Sequence, residues 1–88
     1  MSSSYKVELK RPASKFLAKQ DRPTQKRIIQ ALEELEKTPP EGDIKPMKGQ
    51  PGLYRLRMGT YRAVYEVDYS EQIVHIKVIG NRGDVYKG

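Results

Sequence analysis

Apolar and polar residues alternate at the start of the chain. Tyr5, Val7 and Leu9 interleave with Lys6, Glu8 and Lys10, a period of two that predicts a strand with one wet face. Pro12 ends that ladder and suits the first turn of a helix, where its missing N–H would be unpaired anyway. The period then lengthens. Ala13, Phe16, Leu17 and Gln20 fall on one face of a short helix. Asp21 is placed to cap a second helix, with Pro23 in its first turn. Ile28, Ile29, Leu32 and Leu35 recur at helical spacing through Lys37, while Lys26, Glu33, Glu34 and Lys37 take the other side. That pattern predicts a surface helix laying its apolar stripe on a sheet.

Residues 38–52 hold four Pro and three Gly and are expected to form a loop. At about 15 residues it is long for a compact domain, and loops of that length are often functional. Strands are predicted over 53–59 and 61–68, joined at Gly59-Thr60 by a tight hairpin turn. Tyr69-Ser70-Glu71 turns the chain again. A last strand over 72–80 carries Val74, Ile76 and Val78 on one face and Ile73 and Ile79 on the other, and is expected to be central. The order is β-α-α-β-β-β. It predicts an α+β fold in which two helices pack on one face of a mainly antiparallel four-stranded sheet. Residues 1–88 are expected to form a single domain.

Composition narrows the functional classes. Among 88 residues there is no Cys and one His, so neither a disulfide framework nor a Cys-based or zinc site is expected, and no cofactor is implied. No apolar run approaches ~18 residues, so nothing is expected to span a membrane. Met1-Ser2-Ser3-Ser4 is polar and unlike a signal peptide, and a cytoplasmic setting is expected. Formal net charge is +6, unevenly spread. From Ile44 to Tyr65 there are five Lys/Arg and no carboxylate. That asymmetry points to an anionic partner.

Strand alternation sharpens the point. Tyr54, Leu56 and Met58 share one face of their strand, Arg55 and Arg57 the other. Arg62, Val64 and Glu66 alternate with Ala63, Tyr65 and Val67 on the next. With the apolar faces under the helices, Arg55, Arg57 and Arg62 emerge together on the helix-free face. Three like charges side by side repel unless an anion joins them, and Glu66 is the one evident intra-sheet partner. Guanidinium suits phosphate, because it stays charged and its planar fork holds two oxygens. Arg82 and Tyr86 follow the last strand, where a tail can fold over the sheet. His75 is expected to be a packed or surface residue. Nucleophile-elbow, P-loop and dinucleotide motifs are absent.

These residues carry a resemblance. Lys48-Gly49, Gly52-Leu53-Tyr54-Arg55-Leu56-Arg57-Met58-Gly59, Tyr61-Arg62-Ala63-Val64-Tyr65 and Asn81-Arg82-Gly83-Asp84-Val85-Tyr86 stand in an order similar to the RelE/ParE superfamily. The likeness covers nearly the whole chain, from Tyr5 to Tyr86. Such proteins are toxins of type II toxin–antitoxin systems, so the resemblance implies the RelE-like microbial RNase fold and a cognate antitoxin protein. RelE-type members cleave mRNA on the ribosome in the 30S A site and inhibit translation; ParE-type members poison gyrase and lack the nuclease residues. The site positions of RelE fall here at Arg55, Arg57, Arg62, Arg82 and Tyr86, a set that favours a RelE-type mRNA interferase. Operator DNA would be reached only through the antitoxin.

The roles that follow are those of a metal-independent endoribonuclease. Tyr86 would be general base for the 2′-OH. Arg57 and Arg62 would hold the non-bridging oxygens, and Arg82 the leaving 5′-oxygen. Lys48 and Arg55 would bind flanking phosphates of the RNA. Two positions that are Lys in RelE are Arg55 and Arg57 here, which keeps charge and removes proton donors. The alternatives are a ParE-like gyrase poison without nuclease activity and an inactive RNA- or antitoxin-binding module.

Overall fold

The computed structural model describes residues 5–37 and 40–81. Its elements run β1 (Lys6–Leu9), α1 (Arg11–Ala18), α2 (Arg22–Glu33), a 3-10 turn (Glu34–Glu36), β2 (Asp43–Pro46), β3 (Leu53–Met58), β4 (Tyr61–Asp68) and β5 (Ile73–Asn81). The strands form one sheet in the order β1-β5-β4-β3-β2. All neighbours are antiparallel except β1, which lies parallel to β5. Two helices against a mainly antiparallel sheet is the expected α+β architecture.

The local signals work as their chemistry dictates. Pro12 occupies the first turn of α1. Asp21 caps α2, its Oδ1 accepting the Thr24 N–H at 3.0 Å, and that bond is the main reason its carboxyl is held below the usual range. Beyond Glu33 the α-helix tightens into the 3-10 turn, which still delivers Leu35 to the core. The β3–β4 hairpin closes through Gly59-Thr60, with Gly59 at φ +67°, as the first central position of a type II′ turn requires. In the β4–β5 turn, Asp68 Oδ1 accepts the N–H groups of Ser70 and Glu71 at 3.1 and 3.0 Å. Those bonds, Glu71 first, lower the Asp68 pKa.

Ala13, Ile28, Leu32 and Leu35 from the helical layer meet Leu56, Met58, Ala63, Tyr65, Val74, Ile76 and Ile79 from the sheet. Rings close the margins. Phe16 meets Tyr61 edge-on at 5.9 Å, and Tyr54 stacks on Tyr65 at 5.5 Å. No helix among the described residues is long and apolar enough to cross a membrane.

Three sequence expectations change. The 38–52 segment is not all loop: Asp43–Pro46 forms a fifth strand, paired with β3. Its pattern carries little strand signal: Ile44 is its only apolar residue, and Pro46 is tolerated only at a sheet edge, which is where β2 lies. The second change concerns which strand is central. The middle strand is β4, while β5 is internal, between β4 and β1. The third is the parity of β5. The β4–β5 register shifts between Val64 and Tyr65, which pair with Val78 and Ile76, so Lys77 is the extra residue of a bulge. Val74 and Ile76 face the helices as expected, but past the bulge that role passes from Val78 to Ile79.

Candidate functional site

The helix-free face is laid out by cross-strand register. Antiparallel partners share a face, so the pairs Asp43–Arg57, Lys45–Arg55, Arg57–Arg62, Arg55–Val64, Arg62–Gly80, Val64–Val78 and Glu66–His75 all project from it. Arg55, Arg57 and Arg62 emerge together, as alternation predicted. Two like-charged pairs, Lys45 with Arg55 and Arg57 with Arg62, stand directly opposite one another. Such pairs cost up to ~1 kcal/mol each, a cost a bound anion would reverse.

An open cleft of about 500 Å³ lies over this part of the sheet, lined by Lys45, Pro46, Met47, Lys48, Gln50, Arg55 and Arg62. Four of these seven are cationic and none is a carboxylate. Lys48 and Gln50 reach it on the β2–β3 connection, which is pinned by Met47 N–H to Leu53 O at 2.9 Å and Leu53 N–H to Gln50 O at 3.2 Å. The bulge contributes at the opposite side of Arg62. By shifting the parity of β5 it sets Gly80, which has no side chain, across from Arg62.

Lys48, Arg55 and Arg62 therefore line one cleft. Arg57 lies beside it: its Nε is 3.8 Å from Asp43 Oδ2 and its side chain is half exposed. Arg82 and Tyr86 lie outside the described residues. Glu66 is not the partner of the arginines. It sits four residues along β4 from Arg62, ~13 Å away at strand rise, and pairs with Lys77 at 3.4 Å. His75 is across from it, largely buried, with Nδ1 3.9 Å from Glu8 Oε1. Glu66 and His75 thus belong to the opposite end of the face.

Lys45, Gln50 and Asp43 were not singled out from sequence. Lys45 had one signal, its membership of the carboxylate-free stretch from Ile44 to Tyr65. Only the pairing of β2 with β3 shows that it joins the arginines. The assembly can bind an extended polyanion by several guanidinium and ammonium groups at once, and it can stabilise charge that grows on a phosphoryl oxygen.

Comparison with known proteins agrees with this architecture. A protein from Methanocaldococcus jannaschii that carries the name toxin RelE1 is 40% identical over 45 residues, 51% of this chain and 50% of that protein. The chain therefore spans about half the length of the curated relative it matches. Among solved structures, the archaeal RelE–RelB complex from Pyrococcus horikoshii contains a chain with a TM-score of 0.75 at 27% identity, covering 91% of this chain and 97% of that one. The toxin–antitoxin complex RelBE2 from Mycobacterium tuberculosis gives 0.78 at 25% identity, covering 90% and 99%. Residues 7–86 match the family model of the ParE toxin of type II toxin–antitoxin systems. The chain belongs to that family, within the RelE/ParE superfamily of toxins.

Proposed function

We propose that this toxin is a ribosome-dependent, metal-independent endoribonuclease that cleaves mRNA in the 30S A site and so inhibits translation. The observation that carries the reading is the cleft: Lys45, Lys48, Arg55 and Arg62 converge on one open surface without a carboxylate. In this reading Arg62 and Arg57 hold the non-bridging oxygens of the scissile phosphate, while Lys48 and Arg55 grip its neighbours. Tyr86 takes the proton of the 2′-OH as that oxygen attacks phosphorus, and Arg82 steadies the departing 5′-oxygen. The products are a 2′,3′-cyclic phosphate and a 5′-hydroxyl, the leaving 5′-oxygen taking its proton from water. Lys45 adds something an all-arginine site lacks, since an ammonium can give up a proton and a guanidinium cannot. Because the nucleophile belongs to the substrate, alignment supplies much of the rate, and the ribosome would provide it.

The cognate partner is an antitoxin segment, in keeping with the RelE–RelB complexes among the similar structures. Operator DNA is met only through that antitoxin, and the setting is the cytoplasm. The family match to ParE toxins favours a second reading, a gyrase poison. Expression in cells with mapping of mRNA 5′ ends separates the two. Wild-type protein is expected to cut inside codons. Arg62→Ala and Tyr86→Phe are each expected to lose cleavage by roughly 10²-fold or more. Growth arrest that survives both substitutions, with mRNA intact, would leave the gyrase reading standing.

A further inference from the structure

Four of the seven residues lining the cleft are cations, suited to phosphates. The other three, Pro46, Met47 and Gln50, carry no charge. At about 500 Å³ the cleft is larger than one phosphate needs, and it falls in the roughly 300–1,000 Å³ range of sites that hold whole small molecules. The three uncharged residues have the chemistry of a base site. A pyrrolidine ring and a thioether offer apolar surface to the face of an aromatic ring. A carboxamide offers a donor and an acceptor, side by side, to its edge.

The backbone holds Gln50 in a set position. Met47-Lys48-Gly49-Gln50 closes as a turn through Gln50 N–H to Met47 O at 3.3 Å, and Gln50-Pro51-Gly52-Leu53 closes as the next through Leu53 N–H to Gln50 O at 3.2 Å. Gly49 and Gly52 stand third in their turns at φ +73° and +86°, while Lys48 and Pro51 keep negative φ, so both turns are type II. Gln50 is the residue they share. Its N–H and C=O are spent on the two turns, and Met47 N–H ties the pair to Leu53 O at 2.9 Å. The residue is exposed, and among the described residues its carboxamide makes no hydrogen bond. Those of Gln20 and Gln25, in contrast, donate to Phe16 O and Leu17 O.

We infer that this corner of the cleft is a nucleobase subsite, in which Gln50 selects adenine from a single-stranded RNA whose phosphates lie on Lys48, Arg55 and Arg62. Pro46 and Met47 supply the surface for the ring face. Adenine suits a carboxamide best because it sets a donor, N6–H, beside an acceptor on both open edges: N7 on the Hoogsteen edge and N1 on the Watson–Crick edge. The other bases offer such a pair on the Watson–Crick edge alone, and the Hoogsteen edge of guanine, N7 and O6, is all acceptor. A duplex keeps its bases stacked and paired, so the strand must be single here. The inference deepens the proposed function and rests on it for RNA as the ligand, but base selection does not require that the RNA be cut.

The test is an anisotropy titration with four labelled heptanucleotides, UUUXUUU, where X is A, C, G or U. All carry 2′-O-methyl sugars, which lack the attacking hydroxyl and keep the probes intact. Wild-type protein is expected to bind the X = A probe about tenfold more tightly than the other three, a discrimination within reach of one bidentate pair. Q50A is expected to lose that preference. K48A is expected to weaken all four probes alike, because phosphate contacts carry no sequence information. Thermal melts check that both variants fold; the turns use only the backbone of Gln50, which alanine retains. A wild type without base preference, a preference for another base, or an adenine preference that survives in Q50A would overturn the inference. Failure of the proposed function is a separate result. Messages left intact in cells, with adenine still preferred in the titration, would remove the nuclease and keep the subsite. Cleavage by a wild type that does not distinguish the probes would do the reverse.

Discussion

Tyr65 is 2% exposed, near the middle of the central strand, with Tyr54 stacked on it and Tyr69 close by. Burial first, then the negative charge that Tyr54 and Tyr69 would carry, push its pKa from 10 up to about 12. A raised phenol pKa means the folded state holds the proton longer than the unfolded chain does. Its stabilising effect is complete below pH 10 and is lost as pH rises through about 12. Urea melts on either side of pH 10 are expected to show a fall in stability that Tyr65→Phe reduces; an undiminished fall in that variant would place the alkaline sensitivity elsewhere. Among single residues, alternation alone was enough to put Arg55, Arg57 and Arg62 on one face. It could not show that Arg57 leans to Asp43 while Lys45 joins the cleft, because both facts depend on a strand whose pattern is one isoleucine long.

That strand is the least legible element, and the cleft depends on it. The long helix, its Asp21 cap, the hairpin at Gly59-Thr60 and the strands of the C-terminal half all carry strong local signals. β2 has Pro46 at its end and Pro/Gly-rich flanks, so its existence is decided by pairing with β3 rather than by propensity. The bulge at Lys77 is hidden for the same reason, since one unpaired residue leaves no mark in composition. Gly42 is what lets the chain enter β2. Its φ is +132°, and a Cβ there would lie 2.8 Å from Leu56 Cδ1 in the core. Gly42→Ala therefore meets both backbone strain and a crowded side chain, and a loss of roughly 1–3 kcal/mol is expected by denaturant titration. Because β2 carries Lys45, the same variant is expected to weaken RNA binding more than its lost stability explains. Unchanged affinity in the folded fraction would separate β2 from the cleft.

Across the whole molecule, a net charge of +6 conceals a polar arrangement on the sheet. The order of elements, and with it the superfamily, was readable because each step has its own periodicity. The distribution of charge over the surface was only half readable, since it follows from register and strand order. The helix-free face is basic at the Lys45, Arg55 and Arg62 end. At the other end Glu8, Glu66 and Asp68 alternate with Lys6, His75 and Lys77, so the charge there is mixed. A single strand of RNA laid over this face would be drawn to the basic end more strongly than to the mixed end, which limits where its phosphates can rest. Glu66 would add to that limit at little structural cost: its bridge to Lys77 is half exposed, and such bridges contribute ~0–1 kcal/mol. Glu66→Lys is thus expected to fold normally and to bind single-stranded RNA more tightly, with a salt slope steeper by about one. Cleavage per bound RNA is expected to fall, because phosphates drawn toward position 66 take the scissile bond away from Arg62. Measuring affinity and single-turnover cleavage on the same RNA distinguishes the cases. Tighter binding with faster cleavage would mean that Glu66 repels substrate without setting its register.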